Sequence, residues 1–415
     1  MSDIFLYLFI TLSTGLLLKT IIQPRLILEY PYFMGGIFFI FLLPQAIILA
    51  NQPYLVPKGT LTPIFAISFL CLSMAVIGYY AAPEIKMGES LKANLNSTKL
   101  KQIAVLYTVL GFLFLFLMGR AAEEMANSPE GASTQWSGPA TIYFQLFQVI
   151  NIAFPIFLYF AFRKPTFINI LLALLAAYPS LQLIIFGGRR EPTAFFLLSI
   201  ALTAFYRTGF VPPRAAIVGA IVGAMLIIPA IGEYRAKAEE DPWIALTSID
   251  LQESFNNYFK KGEHLEMAVA ANIVDAYSFH GNYGFGAGYW NEMVFRYVPA
   301  QFVGKDFKSS LMIGERGLIF PNGYKIYPGL TLTCLGDSFV QFGYLGSIFF
   351  FFLGGFFKSL WRLSLTSDNP LIQIFYMISM VQALLSVTHA TTNFLPGIFF
   401  GFVCLWFASV YAKED

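Results

Sequence analysis

The sequence predicts an all-α polytopic membrane protein, with about eleven transmembrane helices and one large extracytoplasmic loop containing amphipathic helices. Three observations carry this expectation. Of 415 residues, 57% are hydrophobic and 12% charged, with a mean hydropathy of +0.65, whereas a soluble domain carries about 25% charged residues. Apolar runs long enough to cross hydrocarbon as helices recur between short polar turns. One stretch, 233–337, is too polar for hydrocarbon and too long for a passive connection.

In chain order, spans are expected at about 4–22, 32–50, 61–82, 102–118, 141–162, 166–187, 192–206, 215–232, 338–358, 370–388 and 394–412. The chain therefore divides into helices one to eight (1–232), the loop (233–337) and helices nine to eleven (338–415). The N-terminus, MSDIF, lacks the basic region of a cleavable signal, so the first run is expected to stay as an anchor. Cys71 and Cys404 lie inside apolar runs and Cys334 lies in the loop, which argues against a disulfide framework. A net charge of +2 gives no footprint for nucleic acid. No internal repeat or low-complexity tract appears.

Lys and Arg set the orientation. One set of connections carries thirteen: Lys19 and Arg25; Lys86, Lys92, Lys99 and Lys101; Arg163 and Lys164; Arg207 and Arg214; Lys358 and Arg362; and Lys413. The opposite short connections carry four, Lys58, Arg120, Arg189 and Arg190. This bias puts the N-terminus outside and the C-terminus in the cytoplasm. The loop then faces outward, and its nine Lys/Arg against thirteen Asp/Glu agree with translocation.

Within the loop, Leu251, Phe255, Tyr258 and Phe259 fall on one helical stripe, and Leu265, Val269, Ile273 and Ala276 on a second. Both are expected to mark amphipathic helices lying against the bundle or the interface. Gly219 and Gly223 form a G-x-x-x-G expected to serve helix packing. Two aromatic-rich turns, HGNYGFGAGYW (280–290) and FPNGYKIYPG (320–329), complete the loop.

The informative cations are those on the side where cations are rare. Any one of them can simply snorkel. Arg189 and Arg190, however, follow Gly187 and Gly188 and precede Pro192, at the N-terminus of a span. Free N–H groups and the planar guanidinium fork suit phosphate oxygens there. Candidate bases are His389, set among Thr388, Thr391, Thr392 and Asn393, then Asp337 and Glu191; Glu233 flanks the same face. His264 and His280, in the loop, are read as structural. Each carboxylate could instead serve a structural ion pair. The first outer connection, 51–60, has no carboxylate, so no acidic pair is available there for a metal; Glu239–Asp241 is the weak alternative. No P-loop, zinc-ligand spacing or haem motif is present.

Three stretches resemble the bacterial O-antigen polymerases (Wzy type), which join oligosaccharide repeat units. They are the GGRRE turn with its following helix (187–206), GYWNEMVFRYVPAQFVGKD (288–306), and LTCLGDSFVQFGYLGSIFFFFLGGFF (332–357). The family's second stretch usually has an arginine after the proline, where this chain has Ala300 after Pro299; Arg296 is the nearest substitute. The resemblance spans roughly 140–360.

The resemblance implies a glycosyltransferase at the outer face of the bacterial inner membrane. Its donor and acceptor would be undecaprenyl-pyrophosphate-linked glycans, and a chain-length regulator protein would be a partner alongside membrane lipids. It implies no cofactor and no metal. Arg120, Arg189 and Arg190 are then expected on the pyrophosphate, with Arg235, Arg296 and Arg316 contributing from the loop. Tyr283, Phe285, Tyr289 and Trp290 are sugar-platform candidates, packing being the alternative. The base stays open between His389, Asp337 and Glu191. Two other functions remain in view, an O-antigen ligase-like transferase and a transporter or flippase for a lipid-linked or anionic solute. Spans nearly free of charge, with arginines gathered at one face, favour the enzyme over the transporter.

Overall fold

The computed structural model describes residues 2–83, 95–126, 139–238, 242–262, 265–314, 320, 324–326, 330–367 and 369–413. Among these the fold is all-α, with a single bridge between Leu95 and Lys413 as the one strand-like contact. Before the loop come α1 (Ser2–Ile22), α2 (Tyr30–Ile37), α3 (Leu43–Asn51), α4 (Leu61–Ala81), α5 (Ser97–Ala126), α6 (Pro139–Phe147), α7 (Ile150–Arg163), α8 (Phe167–Ile185), α9 (Arg190–Thr208) and α10 (Arg214–Ala238). The loop holds α11 (Pro242–Ser248), α12 (Leu251–Lys261), α13 (Glu266–His280), α14 (Ala287–Tyr297), α15 (Ala300–Val303) and α16 (Lys305–Ser310). The chain closes with α17 (Thr333–Phe342), α18 (Ile348–Thr366), α19 (Pro370–Thr388) and α20 (Phe394–Ala412).

Among the described residues ten segments are long and apolar enough to cross a membrane, so this is a multi-pass membrane protein. The expected count of eleven differs by α9. That helix is 19 residues long, but Arg190, Glu191 and Arg207 lower its apolar character. The α2–α3 pair is one span. Its helix widens over Phe38–Leu42 just before Pro44, whose ring nitrogen has no hydrogen to donate.

Contacts sort the helix ends into two faces. On one, Arg214 donates to the carbonyl of Ile22 (3.0 Å), Arg163 reaches Ser97 (3.4 Å), and Lys99 reaches the carbonyl of Lys413 (3.4 Å). These are residues that the basic connections were expected to bring together. On the other, Gln52 donates to the carbonyl of Lys260 (2.9 Å), Tyr234 to that of Ile185, and Thr331 to that of Thr388 (2.7 Å). The loop thus caps the face opposite Lys413.

Two apolar cores meet along α19, the most enclosed span at 78% buried. In one, Tyr30 stacks flat on Phe357 at 4.3 Å, and Tyr376 donates to the carbonyl of Leu28 (2.6 Å). Helices α4 and α18 approach backbone to backbone. A Cβ on Gly78 would lie 2.0 Å from the carbonyl oxygen of Phe351, and one on Gly354 would lie 2.4 Å from the backbone nitrogen of Tyr79.

Two expectations are corrected. The stripe through Leu265, Val269, Ile273 and Ala276 is buried, but so are Met267, Ala270, Ala271 and Val274 around the rest of α13. This helix is not laid against the bundle; it is sunk into it, packing on α17, α4 and α3. Most of its surface is apolar and enclosed, while Ala268 and Asp275 are half-buried and Ser278 is exposed. On α12 the pattern is split: Tyr258 is buried while Leu251 and Phe255 stay exposed. The second correction concerns Gly219 and Gly223, beside which nothing lies within 4 Å of an added Cβ, so they are not a packing seam within this chain.

Gly78→Ala should wedge α4 from α18 and cost about 1–3 kcal/mol, as overpacking does. A lower unfolding temperature in detergent is the readout. Gly219→Ala, which meets open space, should leave that temperature unchanged or raised. Topology is checked by single cysteines at exposed Ser310 and Thr98, because Cys71, Cys334 and Cys404 are buried. An impermeant thiol reagent should label Ser310→Cys in intact cells and Thr98→Cys only after permeabilisation. The reverse pattern would overturn the orientation.

Candidate functional site

The site forms where the loop meets the ends of α9, α17 and α19. Its hub is the break between α19 and α20, residues 388–393, THATTN. Such non-helical backbone needs polar partners at the edge of a membrane. The loop supplies them. Tyr289, Glu292 and Arg296 fall at i, i+3 and i+7, one face of α14. Arg296 Nη2 donates to Asn393 Oδ1 (2.5 Å) and its Nε to Glu292 Oε1 (2.7 Å). The Tyr289 hydroxyl lies 2.9 Å from Thr391 Oγ1.

Asp337 approaches from α17, in its second turn, and is 3% exposed. Its Oδ2 accepts from the Thr391 hydroxyl and from the Thr392 backbone N–H (2.9 Å). The loop is laced to the end of α17 through its glycine-rich turn. Gly284 and Phe285 donate backbone N–H groups to the carbonyls of Val340 and Gln341, both at 2.8 Å. A Cβ at Gly288 would lie 2.3 Å from the Gln341 side-chain nitrogen, so only glycine permits that approach. Phe285 (φ +46°) and Thr333 (φ +54°) hold left-handed backbone on either side of the site. Conformations of that kind cost on the order of 1–3 kcal/mol each and persist where surrounding structure imposes them.

The first turn of α9 divides its charges. Arg190 turns inward: its Nη2 meets Glu266 Oε1 at 3.0 Å and its guanidinium lies 5.3 Å from the Phe41 ring centroid. Glu266, in the first turn of α13, has a side chain only 3% exposed. Arg190 is therefore a clamp between bundle and loop, where it was expected to face an anion. Arg189 is exposed and caps the helix start behind Gly188. Glu191 lies at the outer end of the same turn, half-buried. Burial pushes its carboxyl above the usual carboxylate range, against the opposing pull of Arg296 and then Arg189.

Other expected residues fall elsewhere. Arg120 is exposed near the end of α5, and no contact among the described residues brings it into the cluster. His389 ends α19, with Nδ1 2.9 Å from the Thr388 hydroxyl, at the hub but not on Asp337. Tyr283 stacks on Tyr277 and meets Phe339 edge-on, and Tyr289 packs on Phe349, so neither is an open platform. Trp290 and Phe285 are exposed, at 49% and 75%. Glu233 holds Lys237 (2.7 Å) and accepts from Ser254, fastening α12 to α10. Glu239–Asp241, His264 and Arg316, with the side chains of Arg235 and His280, lie outside the described residues. Among the described residues no group of three His, Cys, Asp or Glu is placed to hold a metal.

Glu266 and Glu292 were missed at the level of sequence. Glu292 had a signal, its four-residue spacing to Arg296. Glu266 had only its isolation at the head of an apolar helix. Comparison of the chain with protein-family models, curated proteins and solved structures returns no match.

Removing one partner of a buried ion pair costs about 3–5 kcal/mol. Arg190→Ala should therefore lower the abundance of the protein in membranes, through the charge left on buried Glu266. The double change Arg190→Met with Glu266→Gln should recover most of it. Arg189→Ala should leave abundance unchanged. Full abundance of Arg190→Ala would remove the clamp.

Proposed function

We propose that this protein is a membrane glycosyltransferase that polymerises undecaprenyl-pyrophosphate-linked oligosaccharide repeat units at the outer face of the bacterial inner membrane. The observation that carries the reading is the gathering at one bundle face, beneath the loop, of Arg296 and Asp337 on the 388–393 break, with Arg189 exposed at the start of α9. A lipid-linked donor presents its pyrophosphate at that depth.

The roles follow from exposure and charge. Exposed Arg189, at a helix start with free N–H groups, grips the departing pyrophosphate. Arg296, held by Glu292 and Asn393, adds a second oriented cation as charge develops on the leaving group. Exposed Trp290 and Phe285 offer faces to sugar rings. Arg190 acts on the fold instead. Transfer onto a lipid A core, the ligase-like alternative, needs the same donor geometry and differs in the acceptor.

The test uses purified protein in liposomes with lipid-linked repeat units. Wild type should build a glycan ladder, and turnover should survive excess EDTA. Arg189→Lys and Arg296→Lys each lose a bidentate contact worth about 1.5–3 kcal/mol, roughly a ten- to hundredfold lower rate. Membrane abundance should hold. In cells lacking the gene, a ladder collapsed to one repeat unit supports the polymerase. Loss of all lipid A-linked glycan supports a ligase, and lipid-linked units trapped inside support a flippase.

A further inference from the structure

We propose that Asp337 is the final acceptor of the proton released by the acceptor sugar, and that the proton reaches it through the hydroxyls of Tyr289 and Thr391. The inference rests on the transferase reading above and names which carboxyl serves it.

The direction of the hydrogen bonds carries the argument. An ionised carboxylate can only accept, so Thr391 must donate its one hydroxyl hydrogen to Asp337 Oδ2. Thr391 then has only lone pairs left for its second contact. The Tyr289 hydroxyl, 2.9 Å away, must therefore be the donor there. Every donor along Tyr289–Thr391–Asp337 points toward the carboxylate. The Tyr289 oxygen is left with lone pairs to accept from an incoming hydroxyl.

Burial assigns the ends of the chain. Asp337 at 3% and Thr391 at 0% exposure cannot touch a glycan. Tyr289 is half-buried, on the α14 face that also carries Glu292 and Arg296. A sugar hydroxyl set against Tyr289 lies beside the cations that would hold the pyrophosphate. Other ionisable groups around Asp337 are Cys334 on its own helix, Tyr277 on α13 and Glu292 on α14.

The step balances. The acceptor oxygen bonds to the donor's anomeric carbon while the bond from that carbon to the pyrophosphate oxygen breaks, and the leaving group takes the electron pair. The acceptor's proton moves to the Tyr289 oxygen, that of Tyr289 to Thr391, and that of Thr391 to Asp337 Oδ2.

Tyr289→Phe is the clean test, because it removes the entrance to the chain and leaves both described partners of Asp337 in place. In the liposome assay its kcat should fall a hundredfold or more, the range general-base catalysis supplies. KM for the lipid-linked unit, membrane abundance and unfolding temperature should stay near wild type. Thr391→Ser should keep turnover and Thr391→Val should lose it. Wild-type kcat in Tyr289→Phe would overturn the relay while leaving the transferase reading intact. Absence of coupling by the wild-type protein itself would overturn that reading, and the relay with it.

Discussion

The ion pair between Arg190 and Glu266 is the constraint on which the rest depends. Neither charge can be left unpaired beside hydrocarbon, where a lone ion is costly. The pair therefore fixes the first turn of α9 to the first turn of α13. Two consequences follow. The loop cannot be an appendage, because its central helix is a buried member of the bundle. The residues on either side of the clamp, Arg189 and Glu191, are also aimed by it. At about 100° of rotation per residue, an inward Arg190 turns its neighbours to other sides of the helix.

From α13 the constraint passes to α17. A Cβ at Gly336 would meet Ile273 at 2.9 Å and Ala270 at 3.3 Å, so the two helices touch backbone to side chain. Asp337 is the next residue. Its position therefore depends on a loop helix being seated, and its hydrogen bonds then hold the break between α19 and α20. The Thr391 hydroxyl, the Thr392 N–H, the Asn393 side chain and the Thr388 carbonyl of that break all pair with the loop or with α17. The result is a rigid floor of satisfied hydrogen bonds, with exposed Arg189, Trp290 and Phe285 around it. Rigid partners beneath and free groups at the rim suit a site that must orient a long lipid-linked substrate without reorganising.

Much of this was legible in the sequence for plain physical reasons. Hydrocarbon imposes a length and a composition on any helix that crosses it, so ten spans appear where apolar runs predicted them. The THATTN segment stood out because five polar residues in six cannot continue an apolar helix cheaply. The RRE turn stood out by breaking the charge bias of its face.

What the sequence could not decide was direction. Arg189, Arg190 and Glu191 are adjacent in the chain, yet one clamps the loop, one stays exposed and one is half-buried. The spacing along α13 marks one stripe, and only packing showed that Met267, Ala270, Ala271 and Val274 outside it are enclosed as well. Gly219 and Gly223 have the spacing of a packing seam and no neighbour, while Gly78 and Gly354, on helices far apart in sequence, form the real one. Spacing along one helix fixes which residues share a face. The identity of what lies opposite that face is a property of other segments of the chain, and only their packing together supplies it.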